Sequence, residues 1–187
     1  MARAGLSAER LTQAAADLAD EIGFQNVTVS ALARGFDVKP AALYSHVKDV
    51  QDLRARVASL ALAELADRAA AALAGRAGKD ALVAFANAYR SYAKEHPGRY
   101  AAMQIELDRV DTSAGRPHAD MTRAILRGYA LSEPDQTDAV RMLHSTFHGY
   151  VSLETAGGFR RHPRDVDASW FRALDALDAV LRNWPPA

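Results

Sequence analysis

Hydrophobic residues recur every three or four positions along most of this 187-residue chain, which is the spacing of a buried helix face. The clearest stripe lies near the C-terminus and consists of Trp170, Leu174, Leu177, Leu181 and Trp184. No stretch alternates apolar and polar residues over the length of a strand. The pattern therefore predicts an all-α fold.

Near the N-terminus the apolar pattern is divided into two short helices joined by a tight turn. Thr28 is a good N-cap for the first of them, because its hydroxyl can accept a bond from an amide that lacks a partner within the helix. Asp37 follows this helix and tolerates a left-handed backbone better than most residues. A second helix is predicted over Lys39–Val47, with Leu43 on its buried face. Two short helices in this arrangement predict a helix-turn-helix.

A long helix is predicted to follow the helix-turn-helix directly. Asp49 is a suitable cap, and an alanine-rich sequence continues to Leu73 before Gly75–Gly78 ends the helix. We therefore expect this helix, and not a flexible linker, to connect the N-terminal part with the four or five helices predicted after Lys79.

Composition narrows the possible classes of protein. Hydrophobic residues make up 49% of the chain, which favours a globular fold, and the lack of cysteine excludes disulfides and thiolate zinc sites. No apolar run approaches the roughly 20 residues that cross a bilayer. The first residues lack the apolar core of a signal peptide, so we expect a cytoplasmic protein that does not bind membranes.

The charge balance is unfavourable for a nucleic-acid-binding protein. The whole chain has zero net charge, and residues 1–50 carry five basic and six acidic side chains, a balance of −1. Phosphate neutralisation normally supplies most non-specific affinity for DNA. Several of the acids belong to the first helix, and we expect their face to point away from DNA.

The second short helix carries a specific resemblance. The sequence DVKPAALYSHVKD, preceded by VSALARGF, resembles the DNA-binding segment of the tetracycline-repressor (TetR) family of bacterial regulators. The resemblance implies a DNA-binding domain over residues 1–50 and an effector-binding and dimerisation domain over residues 51–187. The side chains expected to contact operator DNA are Thr28, Lys39, Ala41, Ala42, Tyr44, Ser45, His46 and Lys48.

Most of these side chains have an expected partner on the DNA. The second helix would enter the major groove, where Lys39 could bind guanine O6 and N7 and the methyl groups of Ala41 and Ala42 could meet a thymine methyl. Tyr44, His46 and Lys48 are better placed for phosphates, and the hydroxyl and amide of Thr28 for another phosphate at the start of its own helix. The alternative for Tyr44 is packing against the first helix. The sequence departs from the family pattern at three positions: Asp37 stands where Gly is usual, Lys39 where Ser or Thr is usual, and Val50 where a lysine is usual.

The C-terminal part is similar to a domain type of the same family that is named for a Trp-His-Gly signature. Phe147-His148-Gly149 carries the similarity, with Phe in place of Trp, after the HPGRYAAM segment at residues 96–103. Effectors of the family bind in this part, and pockets are mostly apolar. The predicted ligand-binding side chains are Phe85, Tyr89, Tyr92, Tyr100, Met103, Met121, Phe147 and His148. The alternative for each of them is ordinary core packing.

Two histidines four residues apart raise the question of a metal site. His144 and His148 could lie on one helix face, but Ser145 stands where the HExxH zinc motif has Glu. A third ligand such as Glu106 or Asp108 cannot be placed from the sequence. We therefore predict no metal, no other cofactor and no catalytic residues, and we interpret the arginines at 160, 161 and 164 as a solvated cluster.

The function predicted from these features is that of a ligand-responsive transcriptional regulator, a repressor by analogy with most of the family. It would bind a palindromic operator as a homodimer, paired through its last two long helices, and a small-molecule effector would release it. The alternatives are a small all-helical carrier or enzyme that does not bind DNA, and an adaptor that binds a protein through the helix-turn-helix.

Overall fold

The computed structural model describes residues 6–104 and 116–185, and α-helices account for most of them. In chain order these helices are α1 Ala8–Ile22, α2 Val29–Gly35, α3 Val50–Leu73, α4 Gly78–Glu95, α5 Pro97–Ala102, α6 Arg116–Leu126, α7 Glu133–Thr155 and α8 Val166–Arg182. Two single turns of 3-10 helix, Phe24–Asn26 and Pro40–Ala42, lie before and after α2. The described part of the chain contains no β-strand, which confirms the all-α prediction.

Local sequence signals set the ends of the N-terminal helices. The Ser7 hydroxyl accepts a bond from the Arg10 amide at the start of α1, and Gly23, with φ of 87°, ends that helix. The Thr28 hydroxyl accepts from the Ala31 amide at 3.0 Å, which confirms Thr28 as the cap of α2. Asp37 is the only non-glycine residue with positive φ (53°) in the described part of the chain, as its position in the turn predicted.

Internal packing divides the chain into two compact units. In its described residues, the first unit comprises residues 6–64 and 95–104. Leu11, Leu32, Leu43 and Leu53 are almost fully buried in its core, and Ala102 of α5 belongs to the same apolar cluster. The helix-turn-helix is therefore packed together with α5, which begins at Pro97, about 50 residues later in the sequence.

The second unit comprises residues 65–94 and 116–185 in its described part. Its core is aromatic: the ring centroid of Phe147 lies 6.3 Å from that of Phe85, 6.0 Å from Tyr89 and 5.9 Å from Trp170. The indole N–H of Trp170 donates to the side-chain oxygen of Asn87 at 2.8 Å, which satisfies its one polar atom inside the core.

The long helix α3 is continuous from Val50 to Leu73. The boundary between the two units falls within it: residues up to Glu64 belong to the first unit and the rest to the second. The Asp49 carboxylate accepts from the Asp52 amide at 2.8 Å, so the predicted cap of this helix is confirmed. The division into residues 1–50 and 51–187 stays a prediction about function. None of the helices described is long and apolar enough to cross a membrane.

Candidate nucleic-acid interface

The segment after the turn is the predicted recognition helix, and two buried side chains attach it to the core. Leu43 is fully buried and Val47 is 2% exposed. The predicted helix over Lys39–Val47 differs from the structure: Pro40–Ala42 forms one turn of 3-10 helix, and hydrogen-bonded turns continue to His46. The 3-10 spacing appears in the bond from the Leu43 amide to the Pro40 carbonyl, at 3.0 Å.

The side chains expected to contact DNA are accessible. All eight are exposed except His46, which is half-buried. Tyr44 is 55% exposed, so its ring is not part of the core, and its contact with DNA stays a prediction. The hydroxyl of Ser45 donates to the Ala42 carbonyl at 3.0 Å and keeps its acceptor lone pairs. The anchored backbone thus presents lysine, tyrosine and small side chains outward.

An ionised carboxylate fixes the end of this segment to α3. The Lys48 amide donates to Oδ2 of Asp52 at 2.9 Å, and Arg56 pairs with Oδ1 at 3.2 Å. Partial burial acts to raise the pKa of Asp52, but the hydrogen bonds from Lys48 and Arg56 outweigh it and hold that pKa below its ordinary value. Asp52 is therefore charged at neutral pH and positions the backbone at Lys48.

Two aspartates of α1 are engaged by Arg99 of α5 and by His96, the residue before that helix. The sequence pattern predicts no contact between α5 and the helix-turn-helix. The guanidinium of Arg99 pairs with Asp17, and the Arg99 amide donates to Oδ1 of Asp20 at 2.9 Å. Nδ1 of His96 lies 3.0 Å from Oδ2 of Asp20. Glu64 is a third acid near Arg99, with Oε2 3.5 Å from a guanidinium nitrogen.

These contacts show that part of the negative charge of residues 1–50 is neutralised or used within the protein. Asp17 and Asp20 are both partnered by the guanidinium of Arg99 in α5, and Asp49 is used as a helix cap. At least three of the six acids therefore have structural partners. The sequence reasoning missed Arg99, whose side chain is only 8% exposed. The sequence signal that could have drawn attention to Arg99 is its position directly after Pro97-Gly98, at the start of a helix.

The predicted ligand-binding side chains fall into both units. Tyr100 and Met103 belong to the first unit and the other six to the second. The aromatic members are all less than 8% exposed and pack as core, while Met103, Met121 and His148 are half-buried. The core alternative therefore describes the packing of the aromatic members, and a role in ligand binding stays a prediction.

The two histidines of α7 each lie near a hydroxyl. Nε2 of His144 is 3.4 Å from Oγ1 of Thr122, and Nε2 of His148 is 3.5 Å from Oγ of Ser152. Among the described residues no three metal-ligating side chains are grouped, and the candidate third ligands Glu106 and Asp108 lie outside those residues.

Comparison with known proteins identifies the family. Residues 82–177 match the family described as "Tetracyclin repressor-like, C-terminal domain". The chain is also 30% identical over 183 residues to the HTH-type transcriptional regulator YobS of Bacillus subtilis, and the match covers 97% of this chain and 96% of YobS. The chain belongs to the TetR family. It is a DNA-binding transcriptional regulator and not an enzyme.

Solved structures share the fold of this TetR-family chain. A protein of unknown function from Rhodococcus sp. RHA1 matches 97% of the chain over 99% of its own length, with a TM-score of 0.82 and 22% identity. A single-residue variant of TetR from Acinetobacter baumannii AYE, solved in complex with minocycline, matches 98% of the chain over 100% of its own length, with a TM-score of 0.74 and 22% identity. The Trp-His-Gly subtype stays a prediction.

Proposed function

We propose that this TetR-family regulator is a homodimeric repressor that binds a palindromic operator and is released by a small-molecule effector. The observation that carries the proposal is the segment at residues 39–48. Leu43 and Val47 hold it in the core while Lys39, Tyr44 and Lys48 are exposed. Such a segment can enter the major groove, with Lys39 toward base edges and Tyr44 and Lys48 toward phosphates. Repression of this kind would take place in the cytoplasm.

The dimer is supported by apolar side chains exposed on the last two helices. Leu153 of α7 is 53% exposed, and Phe171 and Val180 of α8 are 51% and 44% exposed. Pairing of these helices across a two-fold axis would bury them in a four-helix arrangement. Two recognition segments about one helical turn of DNA apart, roughly 34 Å, would then read the two halves of a palindrome.

Effector binding is proposed for the second unit, near the aromatic core around Phe147. The related TetR variant was solved with minocycline, and the predicted side chains of this chain are concentrated on α4 and α7. Because these rings are packed in the described structure, a ligand would have to displace some of them. To act as an inducer it must favour the DNA-incompetent state by about 1–3 kcal/mol. The continuous helix α3 is the covalent route by which such a preference reaches the recognition segment.

Selection of genomic fragments with the purified protein at moderate salt, followed by sizing of the complex, tests the proposal. We expect one palindromic sequence, bound by two chains, with affinity that falls as salt rises. The carrier and the adaptor hypotheses both predict no sequence-selective fragment at any salt concentration. Recovery of a non-palindromic site bound by a single chain would contradict the dimer while leaving DNA binding intact.

A further inference from the structure

A cavity of about 440 Å³ lies where the end of α7, the following loop and the start of α8 meet. This size falls within the range of pockets that hold small organic ligands. It is lined by Tyr150, Gly158, Phe159, Arg161, His162, Arg164, Val166 and Ser169. None of these side chains belongs to the ligand-binding set predicted from the sequence, so the cavity is a separate candidate site.

Two guanidinium groups at the cavity have no ion-pair partner within the described residues. Arg161 and Arg164 are exposed loop residues. The neighbouring carboxylates are engaged elsewhere: Glu154 pairs with Arg90 and Lys94 at 2.7 and 2.8 Å, and Asp167 pairs with Arg90 at 2.7 Å.

The third neighbouring carboxylate is also engaged. Asp165 accepts from the Ala168 amide at 2.7 Å as the N-cap of α8. Guanidinium groups bind carboxylates through two parallel hydrogen bonds, so the cavity has donors for an anion that the protein itself does not supply.

Another part of the cavity lining is aromatic, and its rings are held in place by their packing and by a hydrogen bond. The ring centroid of Tyr150 lies 4.9 Å from that of Phe159, with an interplanar angle of 56°, and 4.8 Å from that of Trp170. The Tyr150 hydroxyl donates to the Val166 carbonyl at 2.8 Å, which joins α7 to the first residue of α8. These contacts hold the rings in a geometry that a further aromatic ring can extend.

His162 adds a directed polar group. Its Nδ1 accepts from the Arg164 amide at 3.1 Å, so the neutral ring carries its proton on Nε2 and can donate from there. The Ser169 hydroxyl donates to the Asp165 carbonyl at 3.0 Å and can still accept. The lining thus combines the cationic donors of Arg161 and Arg164 and the neutral donor of His162 with the aromatic rings of Tyr150 and Phe159.

We propose that the cavity at the α7–α8 loop binds an aromatic carboxylate, with the carboxylate between Arg161 and Arg164 and the ring against Tyr150 and Phe159. An aliphatic acid would lose the ring contacts, and a neutral aromatic amide would lose the charged pair with the guanidinium groups. The site does not depend on the proposed operator binding, because every contact that defines it lies within the second unit.

Isothermal titration of the full-length protein without DNA tests the proposal, with 2-naphthoate as the probe. We expect one ligand per chain and a Kd below about 1 mM. 2-Naphthamide and cyclohexanecarboxylate should each bind at least about tenfold more weakly, since each lacks one half of the recognition. This comparison uses only the unmodified protein, so it does not depend on any variant folding correctly. Equal affinity for the three probes, or no binding, would overturn the proposal.

Variants then locate the site. Arg161→Gln combined with Arg164→Gln should weaken 2-naphthoate binding at least about tenfold, because both charge-assisted pairs are lost. Arg160→Gln combined with Arg172→Gln is the matched control: it also removes two charges from the second unit, but neither arginine lines the cavity. Unchanged affinity in the double variant, or an equal loss in the control, would show that the ligand binds elsewhere or responds only to net charge.

Discussion

Gly98 of α5 lies directly against the backbone of Ala19 in α1. A Cβ atom placed on Gly98 would stand 1.9 Å from the Ala19 carbonyl oxygen and 2.5 Å from the Asp20 amide nitrogen. Both neighbours are backbone atoms within a helix and cannot rotate away. Only glycine therefore allows α5 to approach α1 closely enough for Arg99 to reach Asp20.

Replacement of Gly98 by alanine should separate α5 from α1 and destabilise the first unit by about 1–3 kcal/mol, the usual cost of overpacking. Thermal unfolding, monitored by circular dichroism, measures the change in stability. Gly35→Ala is the control, because nothing lies within 4 Å of a Cβ at Gly35 and its φ is not positive. An unchanged melting temperature for Gly98→Ala would mean that the close approach does not persist in solution.

Lys39→Ala tests the proposed readout of the operator. If Lys39 binds a guanine, the substitution should cost roughly 1–3 kcal/mol of binding free energy and relax the preference at one base pair. Titration of the protein into the selected operator and into its single-base variants, monitored by fluorescence anisotropy, measures both effects. Lys79→Ala serves as the control, since Lys79 lies in the second unit and pairs with Asp175 at 2.7 Å. Equal weakening on every DNA sequence would show that Lys39 contacts only phosphate.

Signals within a few residues of one another predicted local structure well. The cap at Thr28 and the left-handed turn at Asp37 depend on the residue and its immediate neighbours, and both are confirmed. The recognition segment was predicted as a regular helix and forms a 3-10 turn at Pro40–Ala42 instead. Residue composition does not distinguish a short α-helix from a 3-10 turn, because both place Leu43 and Val47 on the buried side.

Features that join distant residues could not be predicted. The pairs between Arg99 and the two aspartates of α1 connect positions about 80 residues apart, and no periodicity in the sequence indicates which acid meets which base. The loop arginines were interpreted as a solvated cluster. Their relation to a cavity depends on tertiary packing, which brings Arg161 to the same cavity that Tyr150 and Phe159 line.

Phe171→Glu should disrupt the proposed dimer, because a charge would replace an apolar side chain that is 51% exposed on α8. Analytical ultracentrifugation should show a shift toward the monomer. Operator affinity should fall at least about a hundredfold, as the two half-sites would no longer be bound together. Ile22→Glu is the control, since Ile22 is an exposed apolar residue of the first unit. A variant that remains dimeric would place the interface on another surface.

Glu154→Gln should destabilise the second unit. The Arg90 guanidinium donates to both oxygens of Glu154 at 2.7 Å, and hydrogen bonds from Arg90 hold the pKa of Glu154 below its ordinary 4.5. Loss of the charge weakens these bonds and leaves Arg90 paired with the more exposed Asp167, at a cost of about 1–3 kcal/mol. Urea denaturation measures it. Asp138→Asn, which removes an exposed pair with Arg141, should change stability by no more than about 1 kcal/mol. Similar losses in both variants would contradict a special role for Glu154.

Burial of His144 predicts a pH dependence of stability. Burial lowers the pKa of His144 in the folded protein below its ordinary 6.5, because the charged ring is poorly solvated there. The unfolded chain therefore binds a proton at this site more readily than the folded chain. The free energy of unfolding should consequently fall as the pH falls from 6.5 toward the lower folded pKa, and His144 contributes nothing to the slope well above 6.5.

Urea denaturation between about pH 5 and pH 7.5 measures this slope, above the range where paired carboxylates dominate. His144→Gln should flatten the slope relative to the unmodified protein, since glutamine keeps a polar side chain near the Thr122 hydroxyl without a titrating group. Ser145→Gln is the control, because Ser145 is an exposed residue of the same helix without a titrating group, and its replacement should leave the slope unchanged. If the two variants give the same slope as the unmodified protein, then another group is responsible for any loss of stability below pH 6.5.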